Sequence, residues 1–262
     1  MSDFLTDTVK SFGAVLEGCS NLLFLVRDKD LQGEAYNDLV KLDAEAESVK
    51  EVLIKAGNEY GANVMLAFQC AADSLAEELL MWLALKADDP EKAWAHLILA
   101  QEAAGGVVRT KISLGESQRR IERLLLLEKL LFPSQIFMSI GSVVHGADCS
   151  ICGADYDQCS HIAGQPYGGY FCTMIPGEIE PDHVALVNEP ADKRCRVAFF
   201  SDEGKKRNRM TWKLGSEDLA ERTLEGILMA ATGRWARVVF TLEMLQGSSD
   251  SILDKPLTSG LR

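Results

Sequence analysis

The chain is poor in the features that announce catalysis. It has no glycine-rich phosphate loop, no G-x-S-x-G turn and no H-E-x-x-H pair, which removes the commonest nucleotide-binding, hydrolase and zinc-protease signatures. Histidine occurs four times and aromatic residues make up 7% of the chain, so few side chains are at hand for proton transfer or for stacking on bases. Basic residues are outnumbered, 27 Lys and Arg against 39 Asp and Glu, for a net charge of -12. Such a surface repels phosphate and argues against nonspecific binding to nucleic acid or to an anionic membrane. No stretch reaches the roughly 18 apolar residues of a membrane span. The uncharged run Phe132–Ala147 is interrupted by Pro133, Ser134, Gln135, Ser139 and Ser142. The amino terminus, Met1-Ser-Asp-Phe-Leu-Thr-Asp, is acidic and lacks the pattern of a secretory leader.

What is present is a composition with room for a core, 47% hydrophobic and 25% charged, enough for one large domain or two ordinary ones. Seven cysteines do not form a secreted disulfide pattern: three share one short motif, and Cys19 and Cys70 lie on apolar helical faces. That usage fits a reducing cytoplasm.

The pattern predicts an α+β fold, mostly α: a helical bundle over 1–135, a β-rich module over 136–212, and a helix and tail over 213–262. Phe12, Val15, Cys19, Leu22 and Val26 recur at spacings of three and four. Ala35, Leu39, Leu42, Ala46, Val49, Leu53 and Ala56 hold one unbroken seam, as a core-facing helix requires. Val64, Phe68, Ala71, Leu75, Leu79 and Trp82 form a third stripe, and Asp89-Pro90-Glu91 starts a fourth helix with a cap, a first-turn proline and an acid. Gly105-Gly106 breaks that helix. Ser113 to Glu116 reads as a capping box for a fifth, whose leucines, Leu124 to Leu127, Leu130 and Leu131, cover more than one face and predict burial on two sides. Beyond residue 136 the runs Ile140–Val144, Tyr170–Ile175, Val184–Val187 and Arg196–Phe200 are β-prone and separated by turn residues. Ser216-Glu217-Asp218 predicts a cap for a last helix carrying Leu219, Leu224, Ile227 and Leu228, with Gly233 as its stop. Trp235–Leu245 fits strand or helix, and a polar tail follows Gly247.

One stretch carries chemistry. Cys149-x2-Cys152-Gly153 is followed by Cys159-x-His161. Cys-x2-Cys places two sulfurs on one tight turn, and Gly153 can take the left-handed conformation that aims N–H groups at them. Cys159 and His161 flank one residue, so in extended backbone their side chains point to one side. Four protein donors complete a tetrahedral zinc site with no open position, which makes the zinc structural. Binding of that kind supplies roughly 10–16 kcal/mol in small finger peptides. His161 is the expected fourth ligand because it belongs to the compact motif; Cys172 is the alternative.

The longer pattern, Cys149-x2-Cys152-Gly153-x5-Cys159-x-His161-x2-Gly164-x2-Tyr167-x-Gly169-x2-Cys172, resembles a zinc-binding segment of some tailed-phage and prophage proteins, including prohead-protease-like chains. The resemblance spans residues 145–191. In those proteases the segment leads into a strand bearing the nucleophilic serine, where this chain has Ala185 within Val184-Ala185-Leu186-Val187. The resemblance therefore implies a shared zinc module and a phage-related or antiviral setting, with the protease nucleophile missing.

Other candidates are weaker. Cys172 and His183 lack a third group to orient them as a catalytic pair. His145 precedes Cys149 by four residues, and His96 lies within a helix. Asp148, Asp155 and Asp157 crowd one loop and read as surface residues. Lys205, Lys206, Arg207 and Arg209, with Trp212 nearby, form the one concentrated basic run, a candidate nucleic-acid contact or a solvated turn facing Asp202 and Glu203. No catalytic residue is assigned. The expected function is a zinc-containing adaptor or regulator that binds another protein, with a non-serine hydrolase or a nucleic-acid-binding factor as alternatives. The sequence assigns no oligomeric state.

Overall fold

A computed structural model describes residues 2–114, 117–229 and 235–241. The class is α+β, mostly α: among the described residues five helices, α1 (Ser2–Ser20), α2 (Lys29–Lys55), α3 (Glu59–Lys86), α4 (Pro90–Thr110) and α5 (Ser117–Leu131), precede nine strands. Among the described residues no helix is long and apolar enough to cross a membrane.

The chain divides into two compact units. The first joins residues 1–132 to residues 148–175, and the second joins 133–147 to 176–262. The first break, at 132/133, lies close to the boundary expected at 135, whereas residues 148–175 rejoin the first unit and no division falls near 212. The metal motif groups with the helices rather than with the β-rich segment, because its contacts run to α2, α3 and α4 as described below.

In the helical unit Ala35, Leu39, Leu42, Ala46 and Leu53 of the α2 seam are in the core as the spacing predicts, while Val49 is half-buried and Ala56, just past the helix, is exposed. Phe12 meets Phe68 edge to face, ring centres 5.5 Å apart. Asp28, Asn58 and Asp89 cap α2, α3 and α4 through their side-chain oxygens. Three expectations fail. Helix α1 stops at Ser20, and Val26, expected on its stripe, is 90% exposed. Gly105-Gly106 does not break α4, which continues to Thr110. The reason is packing: a Cβ on Gly106 would stand 2.8 Å from the Cys70 sulfur, so glycine lets the two helices approach. Helix α5 buries one residue, Leu124, while Leu125, Leu126, Leu130 and Leu131 face solvent. The expected capping box extends over Gly115 and Glu116, outside the described residues.

The helical unit also holds a buried ionic group that no spacing announces. Glu78, fully buried, accepts from Trp82 Nε1 at 3.2 Å and pairs with Arg120 at 3.2 Å and Arg123 at 2.8 Å.

In the second unit, β1 (Phe137–Cys149), β4 (Met174–Val187), β5 (Arg196–Asp202), β6 (Lys205–Asn208) and β7 (Leu214–Asp218) lie in the order β4-β1-β5-β6-β7. Strand β8 (Thr223–Met229) pairs with β5 and with β9 (Trp235–Thr241), antiparallel to both. Met138, Cys195, Val197 and Leu228 form its core. The helix expected after Ser216 is therefore two strands. Leu224, Ile227 and Leu228 satisfy a helical spacing, but cross-strand pairing decides: Arg196 registers with Ile227 and Phe200 with Leu224. Met138 packs against Gly226 where no side chain fits, a usual reason for glycine inside a strand. Trp235–Thr241 resolves as strand; Gly233 and the tail beyond Gly247 lie outside the described residues.

Candidate metal centre

The metal motif is a loop between β1 and β4. Cys149 closes β1. Its N–H donates to the Ala154 carbonyl and its carbonyl accepts from Gly153, both at 2.8 Å. Gly153 has φ +69°, the left-handed turn expected of it. The Ile151 N–H lies 3.4 Å from the Cys149 sulfur, the backbone-to-sulfur contact the expectation called for. A short helical turn over Tyr156–Gln158, capped by Asp155, leads to Cys159 in extended backbone. Asp155 and Asp157 are thus explained locally: the Asp157 N–H donates to Asp155. The phenol oxygens of Tyr156 and Tyr167 accept from Ala163 and Ile162, fixing the segment that presents His161.

These elements bring one donor atom each from Cys149, Cys152, Cys159 and His161 within 4.8 Å of one another. A tetrahedron of zinc–sulfur bonds of about 2.3 Å has edges near 3.8 Å, so a small contraction closes the set on one ion. His161 supplies an independent indication. Its Nδ1 is buried without a hydrogen-bond partner, and its ring packs edge-on against Tyr167 at 4.6 Å. A buried nitrogen without a partner is costly unless something coordinates it. The cluster can therefore hold a metal ion, and its donor chemistry suits zinc. Cys172 is fully buried, and its sulfur lies 3.7 Å from that of Cys149. The loop thus carries four thiols and one imidazole.

The thiols do not share charge equally. Burial raises the Cys149 thiol, but N–H groups of Cys152 and Ile151 and the thiols of Cys159 and Cys152 outweigh it and bring its pKa down to about 6. Cys159 and Cys172 are raised, by burial first and then by neighbouring Cys149. The lowered Cys149 thiol beside the raised Cys159 and Cys172 thiols is a seat for a cation, whose binding would displace thiol protons.

The loop is fastened to the helices by a hairpin, β2 (Pro166–Tyr167) with β3 (Tyr170–Phe171). At its tip the Gly169 N–H donates to Asn63 Oδ1 at 2.8 Å and Gly168 to Glu59 at 3.3 Å. Gly169 has φ +85°, and a Cβ there would stand 3.0 Å from the Lys50 side chain. The Lys50 ammonium lies over the Tyr170 ring at 4.8 Å and the Arg109 guanidinium over Phe171 at 5.0 Å. Lys50, Asn63 and Arg109 were not legible as partners of this loop. They sit on three helices and no motif joins them to it.

The remaining candidates lie elsewhere. His96 pairs with Glu77 at 2.6 Å, His145 with Glu180 at 3.6 Å, and His183 with Asp182 at 3.0 Å while packing over Gly141. Ala185 lies in β4. The basic run forms β6, and its charges face acids: Lys205 meets Asp218, Lys206 meets Glu217 and Glu225, and Arg207 meets Asp202. Arg209 donates to the Ser134 carbonyl. Trp212 packs edge-on to Phe200 at 5.7 Å.

No protein-family model, curated protein or solved structure matches the chain.

Proposed function

We propose that this chain is a protein-interaction protein, an adaptor or regulator, whose zinc is structural and which has no catalytic centre. The observation that carries the reading is the closed donor set: three thiols and one imidazole leave no position on a tetrahedral ion for water or substrate. The metal's work is then to hold a surface. Helix α5 supports a binding role, since Leu126 and Leu130, one turn apart, are 55% and 69% exposed. An exposed apolar strip of this kind marks contact surfaces. The basic run favours nucleic acid less, because carboxylates already face Lys205, Lys206 and Arg207. The resemblance of residues 145–191 to phage zinc segments supports a phage-related or antiviral setting, and Ala185 at the nucleophile position speaks against the protease reading.

The test is capture from native lysate with the wild-type chain and with Leu126→Glu/Leu130→Glu. A stoichiometric protein retained by the first and lost by the second, with zinc content equal in both, is the expected result. Hydrolysis of a peptide substrate that survives removal of every other protein would overturn it.

A further inference from the structure

Between α1, α3 and α4 lies a cleft of about 780 Å³, within the roughly 300–1,000 Å³ that encloses a small molecule. Val9 and Leu16 of α1, Phe68 and Leu75 of α3, Val107 of α4 and Leu114 give it apolar walls. Gly13, Ala71 and Ala104 keep it open, since each is small where a larger side chain would fill the space. Ser20, Ser117 and Arg120 add polar atoms to its lining.

Arg120 is held in place rather than solvated. Its Nε donates to Ser74 Oγ at 2.8 Å and its Nη2 to the Ser74 carbonyl at 2.7 Å. Its charge is shared with Glu78, which also serves Arg123. One buried carboxylate thus faces two guanidiniums, a local surplus of positive charge. The Arg123 side chain is 33% exposed and meets water, whereas that of Arg120 is 19% exposed and lines the cleft. Among the described residues, Glu17, exposed at the cleft, is the other charged residue lining it. An apolar cleft with one fixed guanidinium in its lining fits a molecule with an alkyl chain and one acidic head.

We propose that this cleft binds a medium-chain alkyl carboxylate, its chain along the apolar walls and its head at Arg120 and Ser117. The site is separate from the metal cluster and does not depend on the interaction reading. Calorimetric titration of the zinc-loaded full-length protein with dodecanoate, below its micellar concentration, tests it. Saturable binding is expected, weakening about fourfold for each methylene removed. Dodecanol should bind at least about tenfold more weakly, for want of the charge-assisted contact. Ala71→Phe should abolish binding while helical circular dichroism and zinc content persist. Should that variant fail to fold, Glu17→Gln should tighten dodecanoate by roughly twofold at low salt and leave dodecanol unchanged. Absent saturation, equal binding of acid and alcohol, full affinity in a folded Ala71→Phe protein, or no effect of Glu17→Gln would each overturn the proposal.

Discussion

Individual side chains show where helix packing sets ionisation. Partial burial, and then the like charges of Asp43 and Glu77, push the Asp73 carboxyl up to about 6, although its side chain keeps contact with solvent. A raised acid binds its proton more tightly folded than unfolded. Its ionisation therefore costs stability above the unfolded value near 4, with the full cost reached above about pH 6. Solvent contact reduces that cost to about 1 kcal/mol. Asp73→Asn should accordingly stabilise the protein by about that amount at pH 7.5 and by nothing at pH 3.5, as measured by urea denaturation at both values. An equal gain at both would locate the effect in helix propensity rather than charge. Glu77 follows Asp73 by one turn of α3 and was legible as its neighbour, but the approach of Asp43 depends on how α2 and α3 align, which no local spacing records.

At the scale of elements, legibility followed locality. The α2 seam, the Asp89-Pro90 start and the clustering of four residues able to hold a metal were readable because each depends on residues a few positions apart. Helix α4 ran through Gly105-Gly106, and Thr223–Met229 became a strand, because partners distant in sequence decide both. The hairpin of β2 and β3 is the element with most consequence. It shares a loop with the metal donors and covers Lys50, Ala62 and Phe171's neighbour Gly106. Removing zinc should loosen it. Cys70, beside Gly106 and with its thiol raised to about 11 chiefly by burial, then serves as reporter. Thiol labelling in a Cys19→Ala/Cys195→Ala background, read by peptide mass mapping, should show Cys70 slow to react in the zinc form and faster by tenfold or more after chelation. Unchanged labelling would mean that the hairpin stays docked without the metal.

For the whole molecule, the discontinuity of the helical unit matters most. Residues 1–132 contribute its five helices, but residues 148–175 complete it. A chain ending at Phe132 lacks the Gly169 N–H donor that Asn63 meets on the hairpin and the rings that Lys50 and Arg109 meet there. It should melt lower than the helical unit of the full chain, by about 3–4 °C for each kcal/mol of docking lost, and a peptide of residues 148–175 with zinc should restore part of the difference. A zinc peptide without effect on the melt would show that the helices are self-sufficient. During synthesis the same arrangement imposes an order. All five helices leave the ribosome before the first metal donor, and the second unit's opening strand is made before the first unit can close. If the cluster takes zinc as proposed, metal supply at the moment His161, the last of the four donors, emerges would act as a checkpoint on maturation, and the nascent chain, rather than the finished protein, would be the form most exposed to metal starvation.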